Sequence, residues 1–254
     1  MKWQPAREAC GMTTRKNFVS GVAGATGIAL TAASPVAAKQ SWTPPFFPLV
    51  RRPNYDYAAM MRIVNDASPN KQLFLSNPST MEIPGVAAVF ERMTNAWTAY
   101  EFTLTHAPAT KRLAVAAVLV STPVVFALDD AMWRKYRIGE IFKMTDRFGA
   151  PALTNVTVPA WSNLDASADP GNLRSIYHDY TSAALLHRGA RFMVCHNAYA
   201  GVSAKVAAAT GIAQAKIIKD WVAHTLPGFV VIPAGGMGVQ LALEHGWKLY
   251  PVTD

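Results

Sequence analysis

Ala190-Arg191-Phe192-Met193-Val194-Cys195 is an apolar run of strand length. It passes directly into an alanine-rich stretch, Asn197 to Thr210, that reads as a helix stopped by Gly211. A strand this apolar is covered on both faces, which is the habit of parallel sheets. Leu113 to Val120 and Phe229 to Ile232 repeat the signal, Leu73 to Ser76 predicts a shorter strand, and Trp247 to Val252 a last one. Helical patterns lie between them. After Pro84, Val86, Val89, Phe90, Met93, Trp97 and Tyr100 fall three and four apart and make one apolar face. Val124 to Arg137, Gly171 to Leu186 and Ala215 to Thr225 also read as helices. Strands alternating with helices predict an α/β fold with a mainly parallel, flavodoxin-like sheet flanked by helices. Right-handed crossovers put the carboxyl ends of such strands on one edge, and ligands of these sheets sit there.

The rest of the chain reads differently. Residues 41–53 hold four prolines, which remove backbone donors and exclude a helix or a central strand. They predict an extended arm, on the body of the protein or on a neighbouring subunit, followed by a short helix from Asp56 to Val64. Asp146 to Pro170 is punctuated by Gly149, Pro151, Asn155, Pro159, Asn163 and Asp169, and predicts a loop.

The first 38 residues read as a leader rather than as fold. Arg15-Lys16 precede an apolar stretch from Phe18 to Ala33, and Val36-Ala37-Ala38 supplies small residues before a cleavage point. Met12 is an alternative start. Thr14-Arg15-Lys16-Asn17-Phe18-Val19 resembles the twin-arginine export motif, with Lys16 in place of the second arginine. The apolar stretch is shorter than the roughly 20 residues of a membrane span, so a cleaved signal is expected over a lasting anchor. The organisation expected is therefore a signal over 1–38, an arm and short helix over 39–83, and an α/β domain over 84–254.

Of the 254 residues 51% are hydrophobic and 16% charged, which excludes a disordered chain. The net charge of +8 falls to about +5 once Lys2, Arg7, Glu8, Arg15 and Lys16 leave with the leader. The remaining cations are dispersed, as in Lys111-Arg112 and Arg134-Lys135, and do not interleave with aromatics. A nucleic-acid partner is not expected. Two cysteines exclude a disulfide framework or a multi-cysteine zinc site. Cys10 belongs to the leader, so Cys195 is the only thiol of the mature chain.

Cys195 stands where a strand ends and where Asn197 is placed to cap the next helix. The positive end of a helix dipole favours thiolate, which is both nucleophile and sulfur acceptor. An inert buried cysteine fits the same position. His196 is adjacent, although neighbours in extended chain point to opposite faces. Met193 and His178 complete no recognised metal pattern, and His106, His187, His224 and His245 read as surface residues. Gly235-Gly236-Met237-Gly238 follows a strand and opens a helix over Val239 to His245. Its N–H groups suit an anion, and it equally suits a tight turn that lets helix pack on sheet. It is neither G-x-G-x-x-G nor a P-loop, and no G-x-S-x-G elbow is present, so no cofactor or hydrolase motif is complete. Asp129, Asp130, Glu140 and Glu244 read as caps and solvated faces. Ser121, Cys195, His196, Asn197, Gly235 and Gly236 all lie just past strands and are the residues expected to share one crevice.

The order of these segments is similar to that in one family. Leu113–Val120, Leu128-Asp129-Asp130-Ala131-Met132-Trp133-Arg134-Lys135-Tyr136, Phe192-Met193-Val194-Cys195-His196-Asn197-Ala198, Val231-Ile232-Pro233-Ala234-Gly235-Gly236 and Glu244-His245-Gly246-Trp247 together resemble the DsrE/DsrF-like proteins. The likeness is greatest to the exported members with a twin-arginine-type signal, and it covers about residues 84–254. Asp146, Gly149, Pro151, Ala152 and Asn155 resemble their connecting loop. The resemblance implies a flavodoxin-like parallel sheet and frequent homo-oligomers. In its sulfur-relay members a strand-end cysteine carries a persulfide, and Cys195 is the matching position here. A periplasmic or secreted protein that binds or relays sulfur, or a small anion, through Cys195 is the leading expectation. A non-catalytic ligand-binding or assembly protein using the sheet-edge crevice is the alternative. A flavin or nucleotide protein is a third reading, from topology only.

Overall fold

A computed structural model describes residues 55–76, 81, 83–105, 113–158, 169 and 171–252. The expected leader and the proline-rich arm lie outside the described residues. In chain order the elements are α1 (Tyr57–Val64), β1 (Asn70–Leu75), α2 (Ala88–Ala99) running into a π-helical turn (Tyr100–Thr105), and β2 (Leu113–Leu119). A 3-10 turn (Thr122–Ala127), α3 (Asp130–Lys135), α4 (Ile138–Phe142), a second 3-10 turn (Ile176–His178) and α5 (Ser182–Arg188) lead to β3 (Arg191–Cys195). Then come α6 (His196–Thr210), α7 (Gln214–Ala223), β4 (Phe229–Ile232), α8 (Gly235–Glu244) and β5 (Lys248–Pro251).

The five strands form one all-parallel sheet in the order β4-β3-β2-β1-β5. The architecture is the flavodoxin-like α/β/α sandwich that the alternation of elements predicts, with the last strand rather than the second lying outside β1. β2 and β3 face apolar surroundings on both sides. Val115, Ala117, Leu119, Phe192 and Val194 join the larger core, with α2, α6 and α7. Ala116, Val118 and Met193 join the smaller one, with α1 and α8. From β1 to β4 the chain steps in one direction, so right-handed crossovers keep their helices on one face. The return from β4 to β5 reverses direction and carries α8 to the other face, where it meets α1.

Three expected helices differ in extent. The pattern over Val124 to Arg137 is split, because the carbonyls of Phe126 and Leu128 both accept from Asn155 Nδ2, at 2.8 and 2.6 Å. Asp129 then starts a new helix by accepting from the Met132 N–H at 3.0 Å. Over Gly171 to Leu186 only the last turns are α-helical. Asp169, Asn172 and Asp179 each bind a backbone N–H two residues on, which competes with a helix, and Thr181 caps α5 through the Ala184 N–H. Helix α8 begins at Gly235, four residues before the expected Val239, so the glycines form its first turn and not a turn ahead of it. Asp56 caps α1 as expected, through the Ala59 N–H at 2.7 Å.

Candidate functional site

The carboxyl ends of β1 to β4 bring Ser76, Val120-Ser121, Cys195-His196 and Ala234-Gly235 to one edge. Helices α6 and α8 leave neighbouring strands, β3 and β4, toward opposite faces of the sheet. That reversal makes the gap between β3 and β4 the switch point at which open α/β sheets receive ligands. Cys195 and Ile232 are paired in register at its base.

Cys195 occupies the cap position of α6, where Asn197 was expected. Its backbone is extended, and Sγ accepts from the Ala198 N–H at 3.3 Å. The residue is only 6% exposed, with no disulfide partner. Strand and helix meet without a linker, so the last residue of β3 is the only candidate for the cap. Asn197 lies in the first turn of α6, half-buried. Farther along α6, Tyr199 packs edge-on to Trp221 at 5.5 Å and its hydroxyl pairs with Thr225. Burial pushes its phenol up, so Tyr199 stays neutral while it fixes the start of the helix over the sheet.

Gly235 is in contact with the cysteine. A Cβ there would lie 3.3 Å from Cys195 Cβ and 2.4 Å from Val120 Cγ1. Gly238 is equally close-packed, 2.5 Å from Ile232 Cδ1, whereas Gly236 is exposed with open space around it. The glycine cluster therefore combines two functions: Gly235 and Gly238 seat the helix, and Gly236 leaves its backbone uncovered. Ala234 supplies no side-chain cap, so the first N–H groups of α8 have no side-chain acceptor there.

Ser121 holds φ 53° and ψ −147°, a region that side chains other than glycine rarely adopt. It is exposed and follows directly on Val120. His196 is half-buried, with its ring 5.6 Å from Tyr55 and edge-on to it. The six expected residues thus share one edge, with Cys195 and Gly235 in direct contact. Two more belong with them. Ser76, buried at the end of β1, accepts from the Val120 N–H at 2.8 Å and donates to the Val120 carbonyl at 3.3 Å. Tyr55 covers His196. A serine closing an apolar strand was the available signal for the first, and an aromatic residue just before the Asp56 cap for the second.

Among the described residues no three His, Cys, Asp or Glu side chains gather as a metal site would require. No helix among them is long and apolar enough to cross a membrane. A cleft of about 120 Å³ lies at the opposite end of the sheet, between Trp97, Tyr100 and the amino ends of β1 and β2. Comparison of the chain with known protein families, curated proteins and solved structures finds no match in any of the three.

Proposed function

We propose that this chain is an exported, DsrE-like α/β protein that accepts and passes on a sulfur atom at Cys195. One observation carries the reading: Sγ sits at the sheet's switch point, on the N-terminus of the 15-residue helix α6, with the Ala198 N–H directed at it. In the reaction the Cys195 thiolate attacks the terminal sulfur of an inorganic polysulfide. A new S–S bond forms on Sγ, the donor's own S–S bond breaks, and the shortened polysulfide leaves with the electron pair. A thiolate of an acceptor protein then takes the outer sulfur by the same exchange. The near-complete burial of Cys195 favours a thin, linear sulfur species over a bulky electrophile. Gly236 and the first N–H groups of α8 offer donors to a terminal sulfur or a small anion. Export and homo-oligomer formation belong to the same reading, on the leader and the family resemblance.

Intact mass measurement after exposure to polysulfide tests it. The protein gains one sulfur atom, dithiothreitol removes it, and Cys195→Ser shows no gain. Failure of Cys195 to take up sulfur while a small-molecule thiol in the same tube does so rejects the reading. The alternative, a ligand-binding or assembly protein, is favoured by the sulfur's use as a helix cap. It predicts that Cys195→Ser, which keeps a cap acceptor, retains every function of the chain.

A further inference from the structure

The hairpin after α4 presents an apolar knob and an apolar hollow side by side. Phe148 is 80% exposed at its tip, Leu153 is 75% exposed at its base, and Ile83 is exposed on the adjoining segment. The tip is rigidly built. The Asp146 carboxylate accepts from the Phe148 and Ala150 N–H groups, at 2.8 and 3.0 Å, and Gly149 takes the left-handed conformation. Thr145 bridges to Pro151, and the Gly85 N–H donates to the Thr145 carbonyl at 3.0 Å. Gly85 also lies so close to the Arg147 backbone that a Cβ would come within 2.7 Å of its nitrogen. The ring is thus fixed outward, with the Arg147 guanidinium 4.7 Å above it. Next to it is a hollow of about 220 Å³, lined by Gly139, Met144, Gly149 and Pro151 and rimmed by Glu140 and Lys143. An apolar cavity of about 150 Å³ holds a benzene ring, so the hollow admits a phenyl group. Phe148 cannot turn into it, because the Asp146 carboxylate holds the backbone on either side of the ring.

The geometry points to a second copy of this chain as the occupant: Phe148 of each copy enters the hollow of the other. A knob and a hollow on one patch are what a two-fold interface needs, since each surface then serves as its own complement. The charges agree, with Arg147 on the knob and Glu140 on the rim. An aromatic side chain buries about 150–250 Å², so two rings fall short of the roughly 1,200 Å² of a stable interface. The dimer is therefore weak and concentration-dependent. The inference uses nothing from Cys195 and stands or falls apart from the sulfur reading.

Sedimentation of the full chain between about 1 µM and 1 mM, the span of weak complexes, tests it. The expected result is a monomer–dimer equilibrium that Phe148→Asp weakens at least about tenfold, the lower bound for losing one buried aromatic. In chains with Cys10 and Cys195 changed to Ser, copies carrying Phe148→Cys are mixed with copies carrying Lys143→Cys. The mixture forms disulfide dimers faster than either copy alone. A chain that stays monomeric throughout overturns the proposal, as does a dimer indifferent to Phe148→Asp. Phe148-dependent binding of a monomer to phosphatidylglycerol vesicles overturns it in favour of a lipid surface.

Discussion

Gly235 and Gly236 are neighbours in sequence and in the first turn of α8, yet replacement by alanine moves stability in opposite directions. At Gly235 the added methyl meets Val120 Cγ1 at 2.4 Å, Cys195 Cβ at 3.3 Å and Val118 Cγ1 at 3.4 Å. Val120 has little room to yield. Its side chain is β-branched and stiff, and its N–H and carbonyl are both held by the buried Ser76 hydroxyl. Relief requires α8 to move off the sheet. Overpacking of this kind costs about 1–3 kcal/mol, and the alanine's gain in helix propensity offsets at most about 1 kcal/mol. Gly235→Ala is therefore destabilised by about 1–2 kcal/mol. Gly236→Ala meets no atom within 4 Å and gains about 0.5–1 kcal/mol by restricting the unfolded chain. Gly238→Ala falls between them, because its near contact is the flexible end of Ile232. For a domain of this size 1 kcal/mol shifts Tm by roughly 2–4 °C. Thermal melts followed by circular dichroism then separate Gly235→Ala from Gly236→Ala by roughly 4–10 °C. A Gly235→Ala protein that melts with or above the wild type refutes the close-packing argument, and with it the contact between α8 and Cys195.

Three further outcomes follow from buried or paired charges and from the broken helix. Arg188 and Glu101 form an ion pair at 3.1 Å with side chains 4% and 0% exposed, and the guanidinium lies against the Trp97 and Tyr177 rings. Arg188→Met alone leaves a buried carboxylate and costs about 3–5 kcal/mol. Adding Glu101→Gln recovers part of that, and urea unfolding that shows simple additivity rejects the coupling. Asp220 accepts from Lys135 Nζ at 2.6 Å and from the Tyr136 hydroxyl at 2.5 Å, and these bonds hold its carboxyl below the usual range. A depressed folded-state value gives stability that is present above the unfolded value of about 4 and lost as pH falls through the folded one. Asp220→Asn therefore flattens the decline in stability below about pH 4; an unchanged acid limb counts against the pairing. Asn155→Ala strands the Phe126 and Leu128 carbonyls and costs about 1–3 kcal/mol. A loss below a few tenths in a denaturant titration means that other donors replace the amide.

The strands were legible because parallel interior strands are continuous apolar runs, and β2, β3 and β4 sit where Leu113–Val120, Ala190–Cys195 and Phe229–Ile232 predict them. The helix breaks were not, because distant polar groups decide them. Nothing in the periodicity of Val124 to Arg137 records that Asn155 takes two of its carbonyls. The cap of α6 was misplaced for a related reason. Propensity favours Asn197, but the pairing of Cys195 with Ile232 carries β3 right up to the helix, and the cap falls to whichever residue ends the strand. Ser121 gave no sign of its positive φ, since serine carries no glycine-like signature. Ser121, Cys195, His196, Asn197, Gly235 and Gly236 were legible as a set because each follows a strand end, and the sheet brings strand ends together.

That convergence rests on topology before chemistry. Because β5 adds outside β1, the chain must reverse after β4, and the helices that follow β3 and β4 must separate to opposite faces. The crevice between them would exist with alanine at position 195. What the cysteine adds is a sulfur at the one strand end whose helix starts without a linker, so that the first free turn of α6 donates to Sγ rather than to a loop. What Gly235 adds is the close approach of α8, which brings a second helix N-terminus beside the same atom. Cys195→Ser and Gly235→Ala therefore probe different layers of one site. The first removes the sulfur and keeps the cap, while the second keeps the sulfur and moves the helix beside it. Loss of sulfur uptake in both assigns the chemistry to the crevice; loss in Cys195→Ser alone confines it to the sulfur and the turn of α6 that caps on it.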